Sequence, residues 1–353
     1  MNDKKFILLS AQENDYIAEK VSKILKKEIG EVEFTRFACG ETKNTIHTTL
    51  RKSDVYLILT FRENMNVNAE LFEAFQLMHN IKTSHCTNLT VICPDAPYSR
   101  QDKRHGLREP NSARLLGIIM DAIGVDHFIT IELHSPQIEG FHKSMDHLRI
   151  SSIFADYCRK KYKNKDELLK KVVVLSPDAG SMKNATDLAY KLTEDKTNPV
   201  DVAFIHKERV ATNVAKTGEI IGHVKGKDII IFDDIIDTGG TLFGAASVAK
   251  KAGASKIIAC CAHALMNSSQ NKKESFDELL LKSDIDELIV TNTRPMVIDR
   301  VKKNDNLKKK ITVLDISPYI AEAINRDQHG YTFSEMINQV GVENMYEVIL
   351  RKK

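Results

Sequence analysis

The sequence lacks a long apolar run, a large excess of charge of either sign, and cysteines paired as C-x-x-C. Its longest apolar stretch, Ile257–Met266, is about half of what a helix needs to cross a bilayer, and it contains His263. Near the N-terminus, in MNDKKFILLSAQ, the apolar piece is shorter than the core of a signal peptide, and polar residues follow it at once. We therefore expect neither a membrane segment nor a secretion signal.

Charge is nearly balanced, with 51 lysines and arginines against 48 aspartates and glutamates and a net charge of +3. No polybasic surface is expected that could hold a nucleic acid or an anionic membrane by bulk electrostatic attraction. Nucleic acids and membranes are therefore not expected partners. Any anion that this protein binds must be held locally, by a few placed groups.

The cysteines form no C-x-x-C pair, and several lie inside apolar runs, as buried free thiols do. This usage is typical of a reducing compartment, where structural disulfides are rare. We therefore expect a cytoplasmic protein without disulfide bonds. The cysteines are Cys39, Cys86, Cys93, Cys158, Cys260 and Cys261.

The length of 353 residues predicts two domains, at roughly 150 residues each. Short β-branched runs alternate with helical patterns, and this repetition predicts an α/β fold of parallel sheets covered by helices. The predicted strands are Val55–Thr60, Leu89–Cys93, Phe128–Leu133, Val172–Leu175, Val202–Ile205, Asp228–Phe232, Ile257–Ala262 and Leu288–Thr291. The predicted helices are Leu71–Ile81, Ser112–Ile123, Ala185–Leu192 and Thr241–Ala252.

A polar, lysine-rich join, Tyr157–Lys171, separates two halves of similar size and rhythm. We place the domain boundary just before it, which predicts domains at 1–149 and 150–315. The segment 316–353 is expected to return to the N-terminal domain. Two further polar stretches, Asn267–Ser275 and Lys302–Lys310, are interpreted as solvated loops.

The sequence DIIIFDDIIDTGGTL carries the clearest chemical signal. A buried strand brings the carboxylates of Asp233 and Asp234 to its C-terminal end, where open α/β sheets bind ligands. The residues Asp237–Thr241 follow, and a helix begins. Glycines let the backbone amides approach a ligand, and a helix N-terminus adds positive partial charge. A phosphate cradle beside carboxylates that suit hydroxyl groups predicts a sugar-phosphate site, and the alternative is an acidic turn that caps a helix.

The segment DDIIDTGGT resembles the phosphoribosyl-binding loop of the type I phosphoribosyltransferase fold. Five further motifs are, in this order, similar to those of the ribose-phosphate diphosphokinases, also called phosphoribosyl pyrophosphate synthetases. The resemblance runs from about Phe34 to about Met336. The motifs are YSRQDKR from Tyr98, REPNSAR from Arg108, IELHSPQIEGF from Ile131, VVVLSPDAGSMK from Val172 and FIHKER from Phe204.

This resemblance implies two similar parallel-sheet domains of the type I phosphoribosyltransferase fold, an ATP-side domain at 1–149 and a ribose 5-phosphate domain at 150–315. It implies transfer of the diphosphoryl group of ATP to the anomeric hydroxyl of ribose 5-phosphate, which gives phosphoribosyl pyrophosphate and AMP. It also implies Mg²⁺ as cofactor and a homo-oligomer built from dimers, with a hexamer as one form.

The resemblance also assigns roles to single residues. For ribose 5-phosphate these are Asp178, Asp233, Asp234, Asp237, Thr238, Gly239, Gly240 and Thr241. For ATP they are Phe37, Glu41, Arg100, Gln101, Lys103 and His134, with Phe37 and Glu41 reaching across a subunit interface. His134 and Asp178 are the expected magnesium ligands. Lys207 and Arg209 are the expected catalytic residues, on a family loop at His206–Gly218 that closes on the transition state.

The sequence departs from the family pattern mainly in the half that faces ATP. Cys39 stands where the family often has an acid or amide, and Glu132 replaces an aspartate two residues before His134. His105 stands where an acid is common. The stretch His142–Leu148 is shortened and lacks an acid that the family usually has there. The sugar-phosphate motifs match throughout.

Two other functions remain open from the sequence. A non-catalytic regulatory paralogue would bind the true enzyme, but such proteins typically lose catalytic or phosphoribosyl residues that stand here. A phosphoribosyltransferase would use the same loop on the opposite substrate, but it would not explain the motifs RQDKR, ELH and HKER.

Overall fold

The computed structural model describes residues 6–62, 66–104, 106–178, 180–206, 209–211, 214–215, 218–269, 273–338 and 344–352. The chain forms two compact units. The first contains Met1–Arg149, Thr293–Met296 and Ile316–Phe333, and the second contains the rest. The chain therefore returns to the first unit after residue 315, and from Ser334 onward it belongs to the second unit again.

Strands and helices alternate along both parts of the chain. Up to residue 149 they are β1 Phe6–Ser10, α1 Tyr16–Leu25, β2 Val32–Arg36, β3 Thr42–Ile46, β4 Asp54–Ile58, α2 Val67–Thr83, β5 Asn88–Cys93, α3 Ser112–Ile123, β6 His127–Ile131 and β7 Met145–Leu148. Up to residue 236 they are α4 Ser151–Arg159, α5 Lys165–Lys171, β8 Val172–Ser176, α6 Met182–Thr193, β9 Asp201–His206, β10 Arg209–Ala211, β11 Val214–Ala215, β12 Glu219–Ile221 and β13 Asp228–Ile236. After that they are α7 Gly240–Lys251, β14 Lys256–Ala264, α8 Phe276–Lys282, β15 Glu287–Thr291, α9 Met296–Lys303, β16 Ile311–Asp315, α10 Ser317–His329, α11 Phe333–Asn338 and β17 Glu347–Leu350.

The first unit is built on a parallel sheet of order β1-β4-β5-β6-β7. Its strands are short and almost wholly apolar, as expected for strands covered by helices on both faces. Helix α3 has the predicted bounds because Asn111 caps its first turn, accepting from the Arg114 amide at 3.0 Å, and Gly124 ends it at φ +95°.

A β-hairpin, β2–β3, stands outside this sheet and was not predicted. Its strands carry polar residues at most positions, so their sequences give no clear apolar run. The hairpin packs Val32, Phe34 and Ile46 against the apolar core, and Arg36 forms an ion pair with Glu73 of α2.

The second unit is built on a sheet of order β12-β9-β8-β13-β14-β15-β16-β17. Its inner strands from β9 to β16 run parallel, and the outermost strands β12 and β17 run antiparallel to their neighbours. Both units thus have parallel sheets with crossover helices, which confirms the predicted α/β fold class.

The lysine-rich join predicted between the halves is largely helical. Helix α4 buries its residues Ser151–Cys158, and Asp156 within it is paired with the side chains of Arg159 and Lys160. Polar composition here reflects ion pairs that satisfy a buried acid. The stretch Lys302–Lys310 was also expected to be a solvated loop, which is wrong in part because Leu307 is fully buried.

The cysteines of the chain are free thiols, of which Cys93, Cys158, Cys260 and Cys261 are buried and Cys39 is exposed. Within the described residues, no helix is both long enough and apolar enough to cross a membrane.

Candidate functional site

The predicted sugar-phosphate motif lies at the carboxyl end of β13. This strand continues to Ile236 rather than ending at Phe232 as predicted, because β14 pairs with it as far as Ala264. On its other side, the pairing with β8 ends at Ile231 and Leu175. Asp233 and Asp234 are therefore on the part of β13 that extends past β8, which leaves their carboxylates half-buried at the open edge of the sheet.

Asp178 follows β8 at this same edge. Its Oδ1 accepts a hydrogen bond from the Ser181 amide at 3.0 Å, and its carbonyl accepts one from the buried Ser176 hydroxyl at 2.6 Å. The pKa of Asp233 is raised to about 8. Burial is the largest cause, and the charges of Asp234 and, to a smaller extent, Asp178 act in the same direction. The carboxylates of Asp234 and Asp178 are therefore near enough to Asp233 to disfavour its charged form.

The turn after β13 brings the N-terminus of α7 to the same edge. Gly239 has φ +73°, and a Cβ placed on it would lie 2.3 Å from the ring of Phe243, so only glycine fits without strain. Gly239 is also the N-cap residue of α7 and has no side chain to cap the first amides. Those amides and the positive end of the helix are available to an anion.

The rest of the motif surrounds this turn. Asp237 and Thr238 are half-buried, and Gly240 and Thr241 are exposed at the start of α7. The Asn267 side-chain amide donates to Asp237 Oδ1 at 3.0 Å. Asn267 was missed because it lies in a stretch that composition alone marks as a solvated loop.

In the first unit, the expected ATP-phosphate residues lie on an ordered turn between β5 and α3. Arg100, Gln101 and Lys103 are exposed, and Asp102 between them is buried. The Gln101 amide donates to the Tyr98 carbonyl at 2.8 Å. Asn111 Nδ2 donates to the Asp102 carbonyl at 2.8 Å. The turn therefore presents two cations from a fixed backbone.

Asp95 and Arg294 form a buried ion pair beside this turn, and no sequence pattern indicated it. Asp95 is 4% exposed and Arg294 is 8% exposed. The Arg294 guanidinium also lies 5.2 Å from the centre of the Phe61 ring. These contacts fix the chain that leaves β5. Finding the pair required the tertiary structure, since its members are about 200 positions apart in the sequence.

His134, the expected magnesium-associated histidine, is exposed after β6. The backbone before it is strained, since the buried Glu132 has φ +41°. Nε2 of the buried His147 accepts from the Leu133 amide at 2.8 Å, so Nδ1 carries the proton and faces Glu139 at 3.2 Å. His147 is a second residue that the sequence did not reveal, and it holds the turn that carries His134.

Phe37 and Glu41, the expected adenine contacts, lie at the tip of the β2–β3 hairpin. The Phe37 amide donates to the Glu41 carbonyl at 2.9 Å, and the Gly40 amide donates to the Phe37 carbonyl at 2.9 Å. The Phe37 ring is 46% exposed, and Cys39 beside it is exposed as well. The Phe37 ring is therefore not part of the apolar core, and it remains accessible to a ligand.

The expected catalytic residues cannot be placed in the site. Lys207 lies outside the described residues. Arg209 begins the short strand β10, which pairs with β11, but its side chain is outside the described part. Their roles stay predictions from the sequence.

The donors at the edge of β13 are hard oxygen ligands of the kind that Mg²⁺ prefers. Among the described residues, no group of three or more acidic, histidine or cysteine side chains could hold a metal by itself. Mg²⁺ commonly takes one or two protein carboxylates and completes its octahedron with waters and substrate phosphates. Asp178 fits such a shared site, with one carboxylate oxygen engaged by the Ser181 amide.

A parallel sheet whose carboxyl edge carries paired carboxylates, a glycine turn and an uncapped helix N-terminus defines the type I phosphoribosyltransferase fold. Two family models match the chain: the N-terminal domain of ribose phosphate pyrophosphokinase over residues 6–124, and the phosphoribosyl synthetase-associated domain over residues 193–338. The chain belongs to the ribose-phosphate pyrophosphokinase family.

Similar proteins match over nearly their whole lengths. The ribose-phosphate pyrophosphokinase of Clostridium acetobutylicum is 33% identical over 92% of this chain and 94% of its own. Ribose-phosphate pyrophosphokinase 2 of Saccharomyces cerevisiae is 32% identical over 97% of this chain and 100% of its own. The crystal structure of phosphoribosylpyrophosphate synthetase from Mycobacterium smegmatis superimposes with a TM-score of 0.79 at 30% identity, covering 93% of this chain and 100% of that one. These matches confirm the resemblance inferred from the motifs.

Proposed function

We propose that this protein transfers the diphosphoryl group of ATP to the anomeric hydroxyl of ribose 5-phosphate, with Mg²⁺, and releases phosphoribosyl pyrophosphate and AMP. The observation that carries the proposal is the carboxyl edge of β13. Asp233 and Asp234 stand there beside the uncapped N-terminus of α7. A sugar phosphate has a phosphate group, which suits the helix N-terminus, and hydroxyl groups, which suit the two carboxylates.

The amides of Gly240 and Thr241 would bind the 5-phosphate at the positive end of α7, with the Thr238 and Thr241 hydroxyls as further donors. The carboxylates of Asp233 and Asp234 would accept hydrogen bonds from the ribose hydroxyls. Asp237, which accepts from Asn267, would hold the turn in place. Asp178 would support the sugar, and Asp178 and His134 are each proposed as a magnesium ligand.

On the ATP side, Arg100 and Lys103 would bind the triphosphate, with Gln101 as a further donor, because exposed cations on a fixed turn can meet phosphate oxygens without reorganising. Phe37 and Glu41 would contact the adenine of ATP bound to another subunit. That role requires a homo-oligomer, for which we propose an assembly of dimers. We also propose a cytoplasmic location.

The chemical step is an in-line displacement. The anomeric oxygen forms a bond to the β-phosphorus of ATP, the bond from that phosphorus to the α,β-bridging oxygen breaks, and the hydroxyl proton is lost to solvent. The protein contributes placement and charge stabilisation, since covalent catalysis is not needed for phosphoryl transfer. Mg²⁺, when bound, would neutralise phosphate oxygens. Lys207 and Arg209 would stabilise the charge on the transferred group and on departing AMP.

The test combines purified protein with ATP, ribose 5-phosphate and Mg²⁺ and follows AMP by chromatography. We expect AMP and phosphoribosyl pyrophosphate in equal amounts, only when both substrates are present. Lys207→Ala should lower kcat by about a hundredfold or more, because a cation that acts in the transition state is lost. Lys251→Ala, at the exposed end of α7, is the matched control and should retain activity.

Absence of AMP across a range of phosphate concentrations would contradict the proposed activity. A regulatory paralogue would give that result and still bind ribose 5-phosphate. A phosphoribosyltransferase would instead consume phosphoribosyl pyrophosphate with a base and release diphosphate. An assay of ribose 5-phosphate binding and an assay of diphosphate release from phosphoribosyl pyrophosphate and a base therefore separate the three functions.

A further inference from the structure

The second unit has a cationic cavity at the amino end of its parallel strands. The proposed ribose 5-phosphate site is at their carboxyl end. The cavity has a volume of about 400 Å³ and is lined by Lys160 and Lys161 at the end of α4, Glu287, and Arg351 and Lys352 after β17. Glu287 is the first residue of β15, whereas Asp233 lies near the end of the parallel strand β13. The cavity is therefore separate from the proposed ribose 5-phosphate site, and its C-terminal residues follow residue 338, where the matched family models end.

The lining has more positive than negative charge. Lys161 lies 3.0 Å from the buried Glu287 carboxylate, and Lys160 lies 2.7 Å from the buried Asp156 carboxylate. Lys352 donates to the backbone carbonyl of Asp286, which carries no formal charge. Across the described residues, no carboxylate forms an ion pair with Arg351 or Lys352. Two cations thus remain without neutralising partners.

The neighbouring surface shows the same crowding of cations. An adjoining cavity shares Lys352 and adds Lys250, Lys309 and Lys310, together with Asp284 and Asp286. Burial is the main cause that lowers the pKa of the Lys310 ammonium; the charge of Asp286 acts next, in the opposite direction, and the charge of Lys352 lowers the pKa by a smaller amount. An anion bound beside Lys352 would relieve this repulsion.

The tyrosines of the cavity favour a compact ligand over a nucleobase. Tyr157 and Tyr346 are 5% and 7% exposed. The Lys161 ammonium lies 4.4 Å from the centre of the Tyr157 ring, and the Lys160 ammonium lies 5.4 Å from that of Tyr346. A base would have to displace these lysines in order to stack. A small oxyanion needs only hydrogen-bond donors, which the same lysines supply.

We propose that this cavity binds a compact, multiply charged phosphate anion, held by Arg351 and Lys352 and supported by Lys160 and Lys161. The planar guanidinium of Arg351 suits two parallel hydrogen bonds to phosphate oxygens. The anion is either free, as inorganic phosphate or diphosphate, or the phosphoryl group of a small ester. This site goes beyond the proposed transfer reaction and uses none of its residues.

The experiment is calorimetric titration of the full-length protein, without substrates, using inorganic phosphate, diphosphate and glycerol 3-phosphate in turn. The double variant R351Q/K352Q removes the two unpaired cations. The matched control K302Q/K303Q removes two exposed charges from α9 of the same unit. A third variant, R351K/K352R, keeps both charges, and thermal melting of each variant reports its fold.

We expect R351Q/K352Q to weaken the affinity for at least one probe by about tenfold or more, and K302Q/K303Q to change it by about twofold or less. The variant R351K/K352R should retain most of the affinity. The probe that binds most tightly distinguishes a free anion from an ester. Equal affinities in the two glutamine variants would overturn the proposal, and so would the absence of binding by the wild-type protein at millimolar probe concentrations.

Discussion

Gly239 carries two separate constraints, a left-handed backbone and a close approach to the Phe243 ring. We therefore expect Gly239→Ala to lower the free energy of unfolding by about 1–3 kcal/mol. Alanine disfavours the left-handed backbone at this position, and its methyl group would be too close to the Phe243 ring. The affinity for ribose 5-phosphate should fall as well, since the turn that presents the α7 amides must shift. Urea unfolding and ligand titration measure the two effects.

Gly240→Ala is the control for this prediction. A Cβ at Gly240 meets no atom within 4 Å, and no positive φ is imposed there. In the absence of ligand this variant should be as stable as the wild-type protein or slightly more stable, because alanine is favoured over glycine in a helix. Equal stability losses in the two variants would show that Gly239 is not specially constrained.

Asp233 should make the stability of the ligand-free protein depend on pH. Its pKa is raised from an unfolded value of about 4 to about 8 in the folded protein, chiefly by burial. Between these values the folded state binds more protons than the unfolded state, so the free energy of unfolding falls as pH rises. Asp233→Asn removes this contribution and should become more stable than the wild-type protein as pH increases.

The measurement is urea unfolding of both proteins at pH 5 and pH 8 in metal-free buffer. We expect the stability difference in favour of Asp233→Asn to grow by on the order of 3–4 kcal/mol between the two pH values, at about 1.4 kcal/mol per pH unit. A gap that stays constant would mean that Asp233 titrates normally. Asp233 is thus expected to lower the stability of the ligand-free protein while serving ligand binding, a trade-off that is common in functional sites.

At the level of elements, apolar periodicity predicted the inner strands other than β16, together with the helices α2, α3, α6 and α7. Strands such as β8 and β15 are buried at every position, and their β-branched runs are therefore visible in the sequence. The hairpin β2–β3 was missed because its strands carry polar residues at most positions, and helix α4 was missed because it runs into the lysine-rich join. Polar pairs stabilise both elements: Arg36 with Glu73, and Asp156 with Lys160. Such pairs are formed by the fold and leave no period in the sequence.

The residues of the candidate site likewise divide into those that could be identified from the sequence and those that could not. Asp233, Asp234 and Gly239 could be identified because one short segment contains the strand, the turn and the start of the helix. Asn267 and His147 could not, because each acts through a single hydrogen bond to a residue far from it in sequence. Residues that position a site from elsewhere in the chain require tertiary structure to be found.

The turn after β6 should depend on His147. Removal of its imidazole in His147→Ala leaves the Leu133 amide without its acceptor and loosens the turn that carries His134. If His134 supports magnesium-ATP as proposed, KM for that substrate should rise severalfold while KM for ribose 5-phosphate changes little. The exposed His79 on α2 provides a matched control in His79→Ala. Unchanged KM values in His147→Ala would show that the turn does not act on ATP.

At the scale of the whole molecule, the compact units are not continuous pieces of chain. The first unit takes Thr293–Met296 and Ile316–Phe333 from the far end of the sequence. Within it, Tyr319 of α10 donates to the Arg149 carbonyl at 2.8 Å, and Gln328 donates to the Tyr56 hydroxyl at 2.7 Å. Folding of the first unit therefore requires residues that are synthesised after most of the second unit.

This arrangement predicts that residues 1–149 alone do not form a stable domain. Without α10, the apolar face that α1 presents through Ile17, Ala18 and Val21 loses packing, and the buried Tyr56 hydroxyl loses its partners Asp327 and Gln328. Losses of this kind cost several kcal/mol, which is comparable to the whole stability of a domain of this size. We expect the fragment to unfold without cooperativity in urea and to bind a hydrophobic dye. Fusing residues 316–333 to it through a long flexible linker should restore a cooperative transition. If the bare fragment unfolded as sharply as the fusion, α10 would be an accessory of the first unit and its core would be complete by residue 149.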